Sequence, residues 1–157
     1  MSKTVIVTGA SRGIGHAISL YYAKKGFNVC VCCHKNADML DSLKDEIENI
    51  GADCMTYVGN IGIFENAAEF FSLIKERFGK ADILINNAGI SYIGLLQDMT
   101  PSDWNNIITS NLTSVFNCCK LAIPIMLGSH EGKIINISSV WGCVGASTEV
   151  AYSATKG

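Results

Sequence analysis

Three polar residues near the end of the chain have the types and spacing of an acid–base group. Tyr152 and Lys156 lie four residues apart, and Ser139 precedes Tyr152 by thirteen positions. Side chains four residues apart share one face of a helix, so the Lys156 ammonium can lie close to the Tyr152 phenol. A nearby cation stabilises the phenolate and makes the phenol a usable proton donor near neutral pH. The three residues therefore predict proton transfer to a substrate, with Tyr152 as the acid.

A glycine-rich turn with the spacing Gly-x-x-x-Gly-x-Gly follows the first apolar run of the chain, residues 4–8. Backbone amides in such a turn can approach a pyrophosphate, and the N-terminus of the following helix adds partial positive charge. The turn predicts a dinucleotide-binding loop that consists of Gly9, Ala10, Ser11, Arg12, Gly13, Ile14 and Gly15.

Short apolar runs alternate with longer helical patterns along the chain. The patterns predict strands over residues 4–8, 28–33, 54–58, 82–86 and 133–138, and helices over residues 13–25, 37–49, 64–78 and 101 to about 126. Such alternation is typical of βαβ units, which form a parallel sheet with helices on both faces. The aliphatic runs 83–85 and 134–137 are predicted to be fully buried strands. We therefore predict an α/β fold, a Rossmann-type doubly wound parallel sheet, in a single dinucleotide-binding domain over residues 1–157.

These features together resemble the short-chain dehydrogenase/reductase family along the whole chain. The glycine turn matches the family's cofactor loop, and Asn86-Asn87-Ala88-Gly89 matches its Asn-Asn-Ala-Gly signature. Its catalytic tetrad is matched by Asn111, Ser139, Tyr152 and Lys156. The resemblance implies that Tyr152 donates a proton to a carbonyl oxygen as hydride arrives, while Ser139 hydrogen-bonds that oxygen. It also implies that Lys156 binds the nicotinamide ribose and that Asn111 holds a water for proton relay.

The resemblance implies further contacts with a nicotinamide cofactor. Beyond the glycine turn, these contacts are expected from Asn60, Ile61, Asn87, Ala88, Gly89, Tyr152 and Lys156. The family commonly has an aspartate near the adenine, where this chain has Asn60. An amide can still hydrogen-bond the adenine amino group.

The charges at the end of the second predicted strand favour NADP(H). A site for NAD usually presents an acidic side chain there, whereas a site for NADP needs cations around the 2′-phosphate. This chain has Cys33-His34-Lys35 at that position, and Arg12 in the glycine turn supplies another cation. We therefore predict that His34, Lys35 and Arg12 bind the 2′-phosphate of NADP(H).

Within the family, the chain resembles reductases whose ketone substrates are carried on a small protein. Its overall appearance is similar to the β-ketoacyl-acyl carrier protein reductases of bacterial fatty-acid synthesis. The segment 138–150 looks more like that of reductases that act on 5-aminopentanone-modified elongation factor P. Both interpretations stay open. A catalytically silent nucleotide-binding protein is a third hypothesis, although a binding module has no need for the Tyr152 proton donor.

The composition argues against other classes of protein. The 12 basic and 14 acidic residues give a net charge of -2 without a basic stripe, so nucleic acid is not an expected partner. No segment reaches the ~20 apolar residues that a membrane span requires, so a cytoplasmic protein is expected. The 7 cysteines lie mostly in apolar runs, as free thiols do in a reducing compartment. Cys30 and Cys33 would point to opposite faces of a strand, and no metal site is predicted.

A complete member of the family extends beyond the position of Gly157. It continues the helix that begins near Val150, adds two strands, and pairs that helix and the one from Pro101 with their counterparts in a symmetric dimer. We therefore expect that the C-terminal part of the fold is absent from these 157 residues, and that the complete protein is a homodimer or homotetramer. Without the added strands, residues 134–137 would form an exposed sheet edge.

Overall fold

The computed structural model describes residues 2–128 and 131–157. Its centre is a parallel sheet of five strands in the order β3-β2-β1-β4-β5. The strands are β1 (Thr4–Thr8), β2 (Asn28–Cys33), β3 (Cys54–Val58), β4 (Ile83–Asn86) and β5 (Lys133–Asn136). The chain adds β2 and β3 on one side of β1, and β4 and β5 on the other. The prediction of a Rossmann-type doubly wound parallel sheet is therefore confirmed.

Helices cover both faces of this sheet. They are α1 (Gly13–Lys24), α2 (Ala37–Asn49), α3 (Phe64–Phe78), α4 (Pro101–Ile108), α5 (Ser114–Leu127), α6 (Val140–Val144) and α7 (Val150–Lys156). A short 3-10 turn lies at Leu96–Asp98. Within the described ranges, no helix combines the length and apolar character needed to cross a membrane.

Two hydrophobic cores lie on opposite faces of the sheet, and β1 contributes to both. Ile6 packs in the core formed with α3 and α5, whereas Val5 and Val7 pack in the core formed with α1 and α2. All three side chains are fully buried. Successive side chains of a strand point to opposite faces, so a strand covered on both faces needs an apolar residue at every position. This is why the three central residues of β1, Val5, Ile6 and Val7, are all apolar.

The helical stretch predicted from Pro101 is present, with one interruption. A π-helical turn over Thr109–Thr113 separates α4 from α5. Thr100 caps the start of α4, because Thr100 Oγ1 accepts a hydrogen bond from the Asp103 N–H at 3.1 Å and the Asp103 carboxylate accepts one from the Thr100 N–H at 3.2 Å. A π turn widens the helix locally and re-aims the side chains that it carries.

The prediction of a fully buried strand over residues 134–137 is wrong for the described chain, which instead has the exposed sheet edge expected without the added strands. Ile134 and Ile135 are 37% and 41% exposed, whereas Leu84 and Ile85 on β4 are 0% and 2% exposed. Among the described residues, β5 pairs with β4 alone and therefore forms an edge of the sheet. The aliphatic composition of the run indicated a strand but not how much of it the described chain covers.

Candidate active site

The glycine turn between β1 and α1 requires glycine for conformation and for contact. Gly9 and Gly13 have φ angles of +65° and +62°, a region that side chains disfavour. A Cβ at Gly9 would lie 2.7 Å from the Ala88 Cα, and one at Gly15 would lie 2.6 Å from Asn87 Nδ2. The turn therefore packs directly against the residues that follow β4, and a larger residue at Gly9 or Gly15 would separate them.

Thr8 and Asn87 join the glycine turn to the end of β4. The buried Thr8 Oγ1 accepts hydrogen bonds from the backbone N–H groups of Asn87 and Ala88, each at 3.0 Å. In return, Asn87 Nδ2 donates to the carbonyl oxygens of Thr8 and Gly9, each at 3.0 Å. Four hydrogen bonds thus connect two neighbouring strand ends at the point where the strand order reverses, which is where open α/β sheets bind ligands.

A cleft of about 670 Å³ opens at these carboxyl ends of the strands. Most predicted cofactor residues line it, namely Gly9, Ser11, Arg12, Gly13, Ile14, His34, Lys35, Asn60, Ile61, Asn87, Ala88 and Gly89. Ala10 and Gly15 are buried behind this surface. A second cavity of about 380 Å³ lies between α1 and the β4–β5 edge, but its lining is largely aliphatic and aromatic, so it offers few groups to orient a polar ligand.

Sequence patterns missed several residues of the larger cleft, which are Cys32, Cys33, Asn36, Gly59, Gly62, Ile90, Asn106 and Ser110. Asn106 and Ser110 were detectable in principle, because two polar residues four positions apart share a helix face. The others lie beside predicted residues at the ends of β2, β3 and β4.

The cleft has the electrostatic character of an anion site. Helix α1 begins at Gly13 with no acidic residue in its first turn, so its N-terminal partial charge is not neutralised there. Arg12 and Lys35 add cationic groups, His34 adds an imidazole, and no Asp or Glu is among the described residues that line the cleft. A Cβ at Gly13 would meet no atom within 4 Å, so this glycine leaves open space at the helix N-terminus. These features fit the phosphates of a dinucleotide.

Two buried, neutral thiols, Cys32 and Cys33, lie at the end of β2. Burial raises the pKa of the Cys33 thiol above its ordinary value, although the backbone N–H groups of Asn36 and Lys35 lower it in part. Burial also raises the pKa of Cys32 to about 12. These cysteines therefore act as small packing residues beside the cleft.

Nowhere in residues 2–128 or 131–157 do three or more His, Cys, Asp or Glu side chains form a group able to hold a metal ion.

Asn60 stabilises the turn after β3. Its Oδ1 accepts a hydrogen bond from the Gly62 N–H at 3.0 Å, and its backbone carbonyl accepts one from Asn66 Nδ2 at 3.3 Å. A carboxamide oxygen can accept a second hydrogen bond. The turn therefore leaves Asn60 able to contact an adenine ring, and that contact stays a prediction.

Tyr152 and Lys156 lie together on α7. The Lys156 Nζ is 5.9 Å from the centre of the Tyr152 ring and donates a hydrogen bond to the Ile137 carbonyl oxygen at 2.8 Å. Burial lowers the pKa of Lys156 below its usual value. An ammonium has three N–H donors, so two stay available after the bond to Ile137. Neither Lys156 nor Tyr152 is itself among the residues that line the cleft. A Cβ at Gly89 would lie 3.5 Å from this Nζ, so Lys156 reaches the residues that line the cleft.

Ser139 lies where the sequence predicts it, just beyond the carboxyl end of β5. Its side chain caps α6, because the Oγ accepts a hydrogen bond from the Trp141 N–H at 3.2 Å. Capping uses an oxygen lone pair and leaves the hydroxyl hydrogen available to donate. The neighbouring Ser138 hydroxyl donates to the Lys156 carbonyl oxygen, which connects the start of α6 to the end of α7.

Asn111 is held inside the π turn, 1% exposed, by three hydrogen bonds. Its Oδ1 accepts from the Ile90 N–H at 2.8 Å, and its Nδ2 donates to the Ile90 carbonyl oxygen at 2.8 Å and to Thr155 Oγ1 at 3.1 Å. Both N–H groups of the amide are therefore bonded within the protein. Only the side-chain oxygen or the backbone of Asn111 could therefore bind the predicted water, and that contact stays a prediction.

Comparisons with known proteins agree with this architecture. The model of the short chain dehydrogenase family matches residues 3–157. The 3-oxoacyl-acyl-carrier-protein reductase FabG of Staphylococcus aureus (strain Mu50) is 42% identical over 159 residues, which cover 99% of this chain and 63% of the relative. FabG of Thermotoga maritima is 35% identical over 154 residues, covering 98% of this chain and 62% of that protein. A solved structure of a metagenomic short-chain oxidoreductase in complex with NADP is 31% identical with a TM-score of 0.93, and covers 98% of this chain and 69% of that one.

The doubly wound sheet and its glycine turn define an α/β protein with a Rossmann-type fold. The chain belongs to the short chain dehydrogenase family, whose model matches nearly all of its length. It spans 63% of the length of the S. aureus relative.

Proposed function

We propose that the protein is an NADPH-dependent reductase that converts a ketone to a secondary alcohol. The observation that carries this proposal is that Lys156 and Asn111 both reach Gly89, a residue that lines the cleft. A Cβ placed on Gly89 would lie 3.5 Å from Lys156 Nζ and 3.4 Å from Asn111 Oδ1. Tyr152, the proposed acid, lies one helical turn before Lys156. Membership of the short chain dehydrogenase family and similarity to FabG support the same chemistry.

The residues of this chain divide the proposed reaction between them. A bound nicotinamide cofactor would supply the hydride that forms the new C–H bond at the carbonyl carbon. The Tyr152 phenol transfers its proton to the carbonyl oxygen, so the ketone becomes a secondary alcohol and the phenolate is reprotonated from solvent. The Ser139 hydroxyl donates a hydrogen bond to the same oxygen, and the Lys156 ammonium stabilises the phenolate.

Preference for NADP(H) over NAD(H) is part of the proposal. Arg12, His34 and Lys35 line the cleft without an acidic neighbour among its described lining residues. Each charge-assisted hydrogen bond to a 2′-phosphate contributes about 1.5–3 kcal/mol. The oxidoreductase of similar fold in complex with NADP supports this choice.

We propose a 3-oxoacyl group carried on a small acyl carrier protein as the substrate, because the relatives named above are 3-oxoacyl-acyl-carrier-protein reductases. The 5-aminopentanone group of modified elongation factor P is the competing substrate, since segment 138–150 favours it. Both are ketones presented by a small soluble protein, so we also propose a cytoplasmic location.

An apolar stripe supports a homodimeric or homotetrameric assembly. Leu112, Phe116, Ile123 and Leu127 are 49%, 60%, 44% and 67% exposed, and their spacing of four and seven residues places them along one side of the helix. A second copy of the same stripe would cover it in a two-fold arrangement. Phe116→Glu is expected to lower the mass measured by light scattering to that of the monomer, whereas an unchanged mass would contradict this interface.

Turnover by the protein at its native length tests the proposed function. With NADPH we expect a 3-oxoacyl thioester to be reduced to the 3-hydroxy product, and NADPH to bind at least ~10-fold more tightly than NADH. Lys35→Ala should reduce that preference, while Lys75→Ala, an exposed lysine on α3 away from the cleft, should not. Reduction of the elongation factor P ketone alone would select the competing substrate. No alcohol from either ketone would contradict the reductase function.

A further inference from the structure

Thr155 connects the helix of the proposed acid to the wall of the cleft. It lies on α7 between Tyr152 and Lys156 and is 8% exposed. Its Oγ1 donates a hydrogen bond to the Tyr152 carbonyl oxygen at 2.8 Å and accepts one from Asn111 Nδ2 at 3.1 Å. The hydroxyl therefore serves two elements at once, the backbone of α7 and the π turn between α4 and α5.

The connection extends to the loop after β4. Asn111 is bound to both the N–H and the carbonyl oxygen of Ile90, each at 2.8 Å, and Ile90 lines the cleft beside Gly89. A pair of hydrogen bonds to one backbone residue fixes the orientation of an amide, because rotating the amide breaks both. The second N–H of Asn111 therefore points at Thr155, whose hydroxyl oxygen accepts its hydrogen bond.

We infer that Thr155 is a positioning residue, which holds α7, and with it the Tyr152 phenol, at a fixed distance from the cleft wall at Ile90. This inference rests on the proposed reductase function. The chain of contacts runs from Ile90 through Asn111 and Thr155 to the Tyr152 backbone, and each link is a hydrogen bond between buried or half-buried groups. Proton transfer depends steeply on such a distance, since a displacement of about 1 Å can cost ~10²-fold in rate.

Substitutions that separate the hydroxyl from the shape of the side chain test this role. Thr155→Val keeps the shape and removes both hydrogen bonds, so we expect kcat to fall by about 10-fold while the Kd for NADPH changes less than about 2-fold. Thr155→Ser keeps the hydroxyl and should retain kcat within about 2-fold. Ser153→Ala is the matched control, because this hydroxyl on the same helix is buried without a hydrogen-bond partner. Its kcat should be unchanged.

A purely structural role for Thr155 gives a different pattern. In that case Thr155→Val would lower the thermal midpoint of unfolding, and kcat would fall by the same factor as the fraction of protein that binds cofactor. If Thr155→Val does not fold, Thr155→Ala removes the same hydroxyl with less crowding and is judged by the same measurements. Unchanged kcat without the hydroxyl, or an equal loss in Thr155→Ser, would overturn the inference while the parent protein still reduces ketones. A parent that reduces no ketone overturns the proposed function, and the inference with it.

Discussion

The centre of the sheet and its β5 edge are stabilised in different ways. β1 is paired on both sides, its residues are fully buried, and Thr8 and Asn87 join it to the end of β4 through four hydrogen bonds. β5 is paired on one side among the described residues. The proposed catalytic helix α7 is attached near that edge by polar contacts, including those from Lys156 Nζ to the Ile137 carbonyl oxygen and from Ser138 to the Lys156 carbonyl oxygen.

This difference separates the proposed binding cleft from the proposed catalytic helix. The cleft is shaped by packed strands and by glycines that permit close backbone contact. The interactions that stabilise the fold therefore also determine the shape of the cleft. The proposed acid is placed by a few hydrogen bonds, which contribute less to the free energy of unfolding but fix distances. Substitutions at the centre should therefore lower stability and cofactor affinity together, whereas substitutions on α7 should chiefly lower turnover.

The largest expected effect is on turnover, from Tyr152→Phe. The substitution keeps the ring and removes the proposed proton donor, so kcat should fall by about 10³-fold while the Kd for NADPH stays within about 2-fold. Tyr21→Phe, at an exposed tyrosine on α1, is the control and should leave both values unchanged. Near-parental turnover of Tyr152→Phe, measured from NADPH consumption, would show that Tyr152 is not the acid.

The next effect compares the strands directly. Ile6→Ala removes a fully buried side chain of β1 and should lower the free energy of unfolding by about 2–5 kcal/mol, whereas Ile134→Ala on β5, 37% exposed, should cost less than about 1.5 kcal/mol. Urea denaturation of both variants measures the difference. Equal costs would mean that β5 is as well covered as β1, and the comparison drawn above would be wrong.

A smaller effect is expected from Asn87→Ala. The change removes the amide that donates to the carbonyl oxygens of Thr8 and Gly9, so the free energy of unfolding should fall by about 1–3 kcal/mol and the affinity for NADPH should fall with it. The exposed Asn105 on α4 offers a control, since Asn105→Ala should cost no more than about 0.5 kcal/mol. Loss of stability with unchanged NADPH affinity would contradict the expected coupling between these two properties.

The smallest effect is a pH dependence of stability. Burial lowers the pKa of Lys156 below 10.5, so between its folded-state pKa and 10.5 the unfolded chain binds more protons than the folded chain. The contribution of Lys156 to stability should therefore increase as the pH rises through that window. The unfolding free energy of the parent minus that of Lys156→Met isolates this contribution. A difference that decreases with pH in the window would contradict the assigned cause.

Local sequence patterns predicted the parts of the fold that local interactions determine. The five strands, the glycine turn and the helix from Pro101 follow from apolar runs, glycine spacing and helical patterns, all of which lie within a few residues of one another. The clustering of predicted cofactor residues along the cleft followed because parallel strands end at the same edge of a sheet.

Features that depend on distant contacts could not be predicted in the same way. The aliphatic run of β5 is the same whether the strand is covered or not, so the run alone predicted burial. The exposed edge at Ile134 was expected only from the strands that the family adds beyond it. The π turn at Thr109–Thr113 contains no glycine or proline that would mark it. The bond between Asn111 and Thr155 joins residues 44 positions apart, and neither residue type indicates the other.

Deuterium transfer is the most direct test of the central claim that this cleft and α7 together reduce a ketone. The protein at its native length is incubated with NADPH deuterated at the transferring position of C4 and with a 3-oxoacyl thioester, and the product is analysed by mass spectrometry. One deuterium on the carbinol carbon of the parent reaction, and almost none with Tyr152→Phe, is the expected result. An alcohol without deuterium, or equal labelling by both proteins, would contradict the account.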